Sequence, residues 1–313
     1  MSRPPAVVAL GGGHGLAASL AALRLVTDRI TAVVTVADDG GSSGRLRDEF
    51  GVLPPGDLRM ALAALCDDTA WGHQWRDVLQ HRFPGQGQLG GHAVGNLLIV
   101  SLWDLLGDTV GGLDLVGRLL NARGRVLPMA AVPLTIEASV MAADPAQPFE
   151  ITIVRGQAEV ATTPGRVLSV RLNPEEPPAC DQAVAAIHAA DWVILGPGSW
   201  FTSVIPHLLV PGVHDALIQT PARRVLTLNL VMHTGETVGF SATNHLEVLA
   251  VHAPELQLDV VLADPDIVAD EALLRRVARD MGAELVLARV GDSGRQGQHD
   301  SLRLAAAYRD IIG

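Results

Sequence analysis

The feature that most constrains the fold of this chain is a short apolar run that ends directly in a glycine loop. Ala6 to Leu10 is apolar and is followed by glycines from Gly11 onward, which predicts a buried strand ending in a tight turn. Leucine and alanine then recur at helical spacing over 16–26, and a β-branched run extends from Ile30 to Val36. This order of strand, glycine loop, helix and strand is typical of a mononucleotide-binding unit and implies a parallel sheet with right-handed crossovers.

The same alternation returns in the second half of the chain, after a region with a different pattern. The pattern predicts strands at 192–195, 224–230, 258–262 and 284–289, and helices at about 179–190, 270–281 and from 301. Between the two halves, short β-like stretches occur at 126–132, 134–141, 149–154 and 166–172. We therefore expect one Rossmann-like, doubly wound α/β domain over 1–313, with a mostly parallel sheet and a small β-rich insertion or cap at about 126–172.

The segments around the second strand and after it are predicted from their punctuation. Residues 38–56 are rich in glycine and polar residues and are expected to be irregular. Asp57 is expected to be the N-cap of the helix that follows, with further helices at 73–82 and 93–106.

The composition narrows the classes of function. Hydrophobic residues make up 48% of the chain and aromatic residues only 4%, which suits parallel strands buried under small-residue helices. The formal net charge of −11 argues against a protein that binds nucleic acid through its phosphate backbone, but permits a small anionic ligand held by loop amides. The two cysteines, Cys66 and Cys180, lack CxxC spacing, so neither a zinc site nor a disulfide framework is expected. With no signal-like segment and no apolar run of about 18 residues, the sequence predicts a cytoplasmic protein that does not span a membrane.

The first candidate ligand loop follows the first strand and consists of Gly11, Gly12, Gly13, His14 and Gly15. Glycines allow the backbone to approach a ligand closely, and the start of the following helix supplies free N–H groups and a positive dipole. The spacing is neither GxGxxG nor a Walker A motif, so a plain tight turn is the alternative. His14 either contacts the ligand or sits beside the turn.

The second candidate loop follows the second strand and combines acids with hydrogen-bond donors: Asp38, Asp39, Gly40, Gly41, Ser42, Ser43 and Arg45. The two adjacent carboxylates could hold Mg²⁺ or bind a ribose hydroxyl. The glycines and serines offer backbone and hydroxyl donors, and the arginine offers a fork for phosphate. A polar turn without a ligand is the alternative.

The third candidate loop ends a strand in the second half and comprises Gly196, Pro197, Gly198 and Ser199. The Ser199 hydroxyl could cap the next helix or meet a phosphate. Further candidates lie at the starts of helices or just after a strand: Asp57, Asn96, Asn229, Met232 and Glu236. Asn96 could be a plain helix cap, and Glu236 a solvated acid in a first turn.

The loops occur in an order that resembles a known family. GGGHG, VTVADDGGSSGRLR, PPGDLR, GHAVGN, LGPGSWFTSVIPHLLVPG and NLVMHTGET appear with the spacing of the gluconeogenesis factor (YvcK-like) family, a branch of the 2-phospho-L-lactate transferase (CofD-like) superfamily. The resemblance runs from about residue 6 to the last helix. It implies a Rossmann-like fold that binds a nucleotide sugar, particularly a UDP-sugar, or a dinucleotide, and a link to cell shape and wall growth on gluconeogenic carbon.

These expectations lead to two main functional hypotheses, while the non-standard glycine spacing counts against a third, a dinucleotide oxidoreductase. The first is a regulatory binder of a UDP-sugar such as UDP-N-acetylglucosamine, or of an NAD-like dinucleotide. The alternative is a Mg²⁺-dependent phosphoryl-group transferase of the 2-phospho-L-lactate type, in which Asp38 and Asp39 hold the metal. The chain has GGSSGRLRDEFG where the resemblance to the transferases would need a deazaflavin-seating segment, which counts against the alternative. We also expect a homo-oligomer, and the resemblance implies an envelope or signalling protein as partner.

Overall fold

The computed structural model describes residues 3–144, 146–147, 149–232 and 235–313. The strands are Val7–Gly11 (β1), Ile30–Val34 (β2), Arg125–Pro128 (β3), Thr135–Met141 (β4), Ile151–Arg155 (β5), Arg166–Asn173 (β6), Trp192–Leu195 (β7), Arg223–Thr227 (β8), Val260–Ala263 (β9) and Glu284–Leu287 (β10).

Helices follow almost every strand of the main sheet. They are Gly13–Leu23 (α1), Gly41–Phe50 (α2), Pro55–Leu65 (α3), Ala70–Gln80 (α4), Val94–Leu106 (α5), Thr109–Leu119 (α6), Gln157–Thr162 (α7), Asp181–His188 (α8), Ile205–Leu208 (α9), Pro211–Gln219 (α10), Ala242–His252 (α11), Glu271–Asp280 (α12) and Ser301–Ile312 (α13). A π-helical turn, Trp200–Val204, leads directly into α9, and 3₁₀ turns occupy Gly235–Thr237 and Pro265–Ile267.

Seven of the described strands form one sheet in the order β10-β9-β8-β7-β1-β2-β3, and every pair in it is parallel. From β1 the chain moves outward through β2 to β3, and from β7 it moves outward in the opposite direction to β10. The strand order therefore reverses between β1 and β7. This is the doubly wound, Rossmann-like α/β fold that the sequence predicts, and the crevice at its switch point lies where the loops after β1 and β7 begin.

The centre of the sheet is covered on both faces, so its strands are apolar at every position. All residues of β1 and β7 are buried, as are Leu16, Leu20 and Leu23 of α1. Each buried valine, leucine or isoleucine among them contributes on the order of 1.5–3 kcal/mol by leaving water. This packing fixes the strand ends from which the candidate loops emerge.

A buried chain of hydroxyl groups ties the C-terminal helix to the centre of the sheet. The Tyr308 hydroxyl on α13 lies 2.9 Å from Ser19 Oγ on α1 and 3.1 Å from Thr227 Oγ1 at the end of β8. The Ser19 hydroxyl in turn donates to the backbone carbonyl of Gly196 at 3.3 Å. Burial raises the pKa of Tyr308 to about 12, so the phenol stays protonated.

The β-rich insertion is real, but it begins later than expected. Strands β4, β5 and β6 form a separate antiparallel sheet in the order β5-β4-β6, with the short helix α7 between β5 and β6. The stretch predicted at 126–132 does not belong to it. Its β3 portion instead pairs in parallel with β2 at the edge of the main sheet. The apolar residues that follow Arg125 in β3 are buried there.

Local structure differs from expectation where helices start. The prediction of an irregular segment at 38–56 is wrong, because α2 occupies its centre. Asp57 is not an N-cap: α3 begins at Pro55, and Asp57 lies in its first turn. Asn96 likewise lies inside the first turn of α5, whose N-cap is Ala93. The side chains of Asp57 and Asn96 therefore do not cap these helices.

Candidate functional site

The loops after β1 and β7 touch each other at the switch point. A Cβ atom on Gly15 would overlap the carbonyl oxygen of Pro197 and would lie 2.6 Å from the Cα atom of Gly198. Gly196 and Gly198 have φ angles of +67° and +153°, in the region that favours glycine. The glycines at these positions thus serve the close approach of two backbones.

Asn229, just after β8, locks the second of these loops in place. Its amide nitrogen donates to the Gly198 carbonyl and its amide oxygen accepts from the Gly198 N–H, both at 2.8 Å. The side chain copies the pairing that a neighbouring strand would offer. The predicted role of Asn229 beside a ligand is thus accompanied by a clear structural role.

A pocket of about 340 Å³ opens beside these loops. Its lining joins four segments of the chain: His14, Gly15, Ala18, Pro197, Gly198, Ser199, Asn229, Leu230, Val231, Gly297, Gln298 and His299. The side chains of His14 and Ser199 are exposed, and Ser199 makes no side-chain cap bond although it precedes the π-helical turn. The hydroxyl that the sequence offered either to a helix or to a ligand is therefore not used by the helix.

A second polar cluster lies behind the first loop, around Asp57. A Cβ atom on Gly12 would lie 2.6 Å from Asp57 Oδ2, and one on Gly56 would lie 2.9 Å from Asp38 Oδ2. The pKa of Asp57 is raised to about 7, first by burial and then by the charge of Asp38, against the opposing effects of the Gly13 N–H and the Arg59 guanidinium. Asp57 Oδ2 is buried and has no hydrogen-bond partner among the described residues.

The polar side chains of α2, α3 and α5 join in a buried network beside this acid pair. Ser42 Oγ lies 3.0 Å from His92 Nδ1 and accepts from the Asn96 amide at 3.0 Å, while Arg59 Nε donates to Asn96 Oδ1 at 2.8 Å. Arg59 is only 3% exposed, and burial lowers its pKa to about 10. Asn96 and Ser42, two of the predicted site residues, are thus brought together by a hydrogen bond, although not in the way a helix cap would require.

Sequence reasoning missed Arg59 and His92 as members of this network. Both stand inside quoted motifs, PPGDLR and GHAVGN. The available signal was an arginine on the apolar helix that starts at Pro55, since a charged residue among leucines and alanines needs a partner when it is buried.

Two residues of the loop after β2, Asp39 and Arg45, hydrogen-bond to the backbone of other segments. The two Asp39 carboxylate oxygens accept from the backbone N–H groups of Gln157 and Ala158 at 3.0 and 3.1 Å, at the start of α7. Arg45 donates to the carbonyls of Gln88 and Gly90 at 3.3 and 2.8 Å. Asp39 and Arg45 are therefore engaged with the backbone, on the insertion and on the loop before α5.

The other members of this loop shape its turn into α2. Gly40 is the N-cap position of that helix and its N–H donates to Asp38 Oδ1 at 3.0 Å, while Gly41 has a φ of +50°. Ser43 is buried, with its hydroxyl where a Cβ atom on Gly56 would lie. No cluster of three or more histidine, cysteine, aspartate or glutamate side chains is positioned for a metal within the described ranges. The Mg²⁺ site on Asp38 and Asp39 stays a prediction.

Met232 and Glu236 follow β8 but are not among the residues that line the switch-point pocket. Glu236 Oε1 accepts from the Phe201 N–H at 3.1 Å, at the start of the π-helical turn, and burial raises the pKa of this carboxyl to about 7. The Met232 carbonyl accepts from the Thr237 hydroxyl at 2.9 Å. Glu236 is a buried acid that holds a helix start, rather than a solvated one.

Sequence reasoning also did not select Gly297, Gln298 and His299, which form one side of the switch-point pocket. These residues follow the last strand of the sheet by more than nine positions, and no motif marks them. They lie beside the pocket only because of the tertiary fold.

The sheet order and the pocket define a Rossmann-like α/β protein whose cleft lies between two glycine loops at the switch point. Of the helices that the structure describes, none is by itself both long and apolar enough to cross a membrane. The bent pair at 200–208 and 211–219 meets that test only when its members are combined.

A sequence model of the family "2-phospho-L-lactate transferase CofD" matches residues 7–293. The chain is 55% identical over 308 residues to a putative gluconeogenesis factor of Mycobacterium tuberculosis, covering 97% of this chain and 90% of that protein. It is 36% identical to the gluconeogenesis factor of Bacillus subtilis, covering 87% and 82% of the two chains. A crystal structure of a Bacillus halodurans protein superposes with a TM-score of 0.87 at 31% identity, covering 97% and 99%. The chain therefore belongs to the CofD family, in the branch whose curated members are named gluconeogenesis factors.

Proposed function

We propose that this protein is a cytoplasmic regulatory protein that binds a nucleotide sugar, such as UDP-N-acetylglucosamine, or an NAD-like dinucleotide. Through this ligand it would link carbon supply during gluconeogenic growth to cell shape and wall synthesis, acting on an envelope or signalling partner as a homo-oligomer. The names of its relatives and the family's motifs support this proposal.

The observation that carries the proposal is the contact of two glycine loops beside one pocket at the switch point. Helix α1 begins at Gly13, so the first amides of the helix have no carbonyl partner within it. The loops come close enough to leave no room for a Cβ atom on Gly15. The Gly13 N–H is directed to Asp57, so a diphosphate at the start of α1 would meet the N–H groups of His14 and Gly15 and the positive end of the helix dipole.

Isothermal titration with UDP-N-acetylglucosamine tests the proposal, with NAD as the second ligand. We expect His14→Ala and Ser199→Ala to weaken binding by about two- to tenfold, because each removes one hydrogen bond to the ligand. Both side chains are exposed, so the fold should be retained. Ser101→Ala is the matched control, since its hydroxyl donates within α5 and does not line the pocket. Absence of binding to either ligand at millimolar concentration would overturn the proposal.

The transferase alternative is favoured by a different observation, the buried Asp57 carboxylate beside Gly12 with the half-buried Asp38 nearby. Asp57 Oδ2 has no partner among the residues that the structure describes, and Asp38 is nearby, so these two carboxylates would be the ones to hold Mg²⁺. Asp39 is less suited, because both of its oxygens accept from α7. A bound Mg²⁺ would neutralise charge on a transferring phosphate. In this alternative Asp38 and Asp57 hold the ion, and the α1 amides orient the phosphate oxygens.

Incubation of the protein with Mg²⁺, a nucleoside diphosphate ester and an acceptor alcohol tests this alternative. The alcohol oxygen would bond to the β-phosphorus, the bond between the α- and β-phosphates would break, and the nucleoside monophosphate would leave. Turnover should require Mg²⁺ and should disappear in Asp38→Asn and Asp57→Asn. Intact nucleotides after hours of incubation would remove the support for it, whereas ligand binding without turnover would leave the regulatory proposal standing.

A further inference from the structure

One side of the switch-point pocket is formed by a short hairpin after the last strand, residues 290–300. Gly291 and His299 form an antiparallel bridge, and the Asp292 N–H donates to the Gln298 carbonyl at 2.8 Å. The buried Asp264 carboxylate accepts from the N–H groups of Val290 and Gly291 at 2.8 and 3.0 Å. The hairpin is therefore fixed to the end of β9 by a charged acceptor.

The tip of the hairpin is pressed against the segment after β8. Gly297 has a φ of +78°, and a Cβ atom there would lie 2.8 Å from Val231 Cγ2. This contact sets Gln298 and His299 beside Leu230 and Val231 in the pocket lining. The wall is thus built by tertiary packing and does not depend on the glycine loops.

The chemistry of this wall differs from that of the loops. The lining contributed by residues after β8 and by the hairpin consists of apolar side chains and neutral amides, together with His299. Burial lowers the pKa of His299, so its imidazole is neutral at pH 7, and its Nε2 atom finds no hydrogen-bond partner among the described residues. Neutral polar groups beside aliphatic side chains suit a flat heterocycle better than a phosphate.

The family match also separates the hairpin from the loops. It covers residues 7–293, which include both glycine loops, and it stops before Gly297. We infer that the hairpin 290–300, through Gln298 and His299, selects the nucleobase of the ligand, while the amides of the loops hold its phosphates. This inference rests on the proposed nucleotide binding.

The experiment compares ligands that differ in one part only. UDP, CDP, ADP and GDP differ in the base, and UMP differs from UDP by one phosphate. Each is titrated into the wild type, Gln298→Ala, His299→Asn and the control Gln296→Ala, which lies in the same exposed hairpin but does not line the pocket. We expect the two lining variants to reduce the ratio between the best and worst bases by about two- to tenfold. The UDP to UMP ratio should stay unchanged, and the control should match the wild type.

The outcomes separate the inference from the proposed function. If the wild type binds nucleotides but its base preference survives in both lining variants, or if it has none, the inference is overturned and nucleotide binding stands. If the lining variants weaken the binding of all four nucleotides equally, the inference is also overturned, because the side chains then stabilise the pocket without selecting a base. If no nucleotide binds to the wild type, both fail. Since Gln298 is exposed, its replacement keeps a test available even if His299→Asn does not fold.

Discussion

Asp57 lies buried against the first glycine loop, where its carboxylate has little water and a second acid nearby. Its pKa rises from 3.8 to about 7 as a result. The folded chain therefore holds a proton that the unfolded chain has lost between these two pH values. The free energy of unfolding should fall as the pH rises through this window and level off above pH 7.

Asp57→Asn should remove this pH dependence. Each pKa unit corresponds to about 1.4 kcal/mol, so we expect the variant to gain on the order of 2–4 kcal/mol relative to the wild type between pH 4 and pH 8. Urea denaturation at several pH values measures it. Glu236, whose pKa is also raised to about 7, contributes equally to both proteins. Asp77→Asn, at an exposed position, should show no such gain, and a constant difference between Asp57→Asn and the wild type would contradict the prediction.

At the scale of elements, two side chains connect parts that are distant in sequence. Asp39 joins the loop between β2 and α2 to the start of α7 in the insertion, and Tyr308 joins α13 to α1 and β8. Both connections lie next to candidate ligand loops: Asp39 is in the loop after β2, and Tyr308 contacts Ser19, which donates to Gly196 in the loop after β7. The loops are thus held from outside as well as by their own contacts.

Asp39→Ala should loosen the insertion without unfolding the sheet. The change leaves the Gln157 and Ala158 N–H groups without their acceptor, at a cost of about 0.5–2 kcal/mol, as for the loss of a helix N-cap. Hydrogen exchange of these two amides should become faster, while amides in β1 keep their protection. Asp144→Ala, which removes a turn contact in the same insertion, is the control. Unchanged exchange at 157 and 158 would show that Asp39 does not anchor α7.

Tyr308→Phe should cost about 1–3 kcal/mol of stability, because two buried hydroxyl groups lose a partner while the ring stays in place. Adding Ser19→Ala should cost less than the sum of the single changes, since both remove the same hydrogen bond. Urea denaturation of the two single variants and the double variant supplies the comparison. Strict additivity would mean that the Tyr308–Ser19 contact contributes nothing.

On the scale of the whole molecule, ligand binding and folding are linked. A ligand that binds only the folded chain stabilises it by about 2.7 kcal/mol at a concentration of 100 times its Kd. UDP-N-acetylglucosamine should therefore raise the melting temperature of the wild type, and raise it less in His14→Ala and Ser199→Ala at the same concentration. Sucrose at an equal concentration is the control for nonspecific effects. An equal rise in all three proteins would place the ligand elsewhere.

The sequence predicts the architecture because its signals are local. The runs at β1 and β7 are apolar and end in glycine, and β2 is a β-branched run, which together identify buried parallel strands and the loops that follow them. The helix α2 was missed because its sequence, GSSGRLRDEF, carries no apolar periodicity. It forms because Leu46 packs into the core and Gly44 lies against the backbone of Asp39, contacts that only the folded chain supplies.

For the candidate site too, features set by local sequence could be predicted, and features set by tertiary contacts could not. The glycine loops could be selected from sequence, since each follows a strand directly. The pairing of Asp38 with Asp57, the burial of Arg59 and the return of the hairpin at His299 could not, because each brings together residues from separate elements. Strand ends on one edge of a parallel sheet are predictable neighbours, whereas a hairpin that follows the last strand has no such constraint.

The buried position of Tyr308 has a consequence for chemical labelling. It is the one tyrosine in the sequence, and its side chain is 0% exposed. Reagents that nitrate or iodinate phenols can reach it only when the C-terminal helix detaches from the sheet. The rate of such labelling, compared with the rate of global unfolding, would therefore count how often this one helix opens by itself.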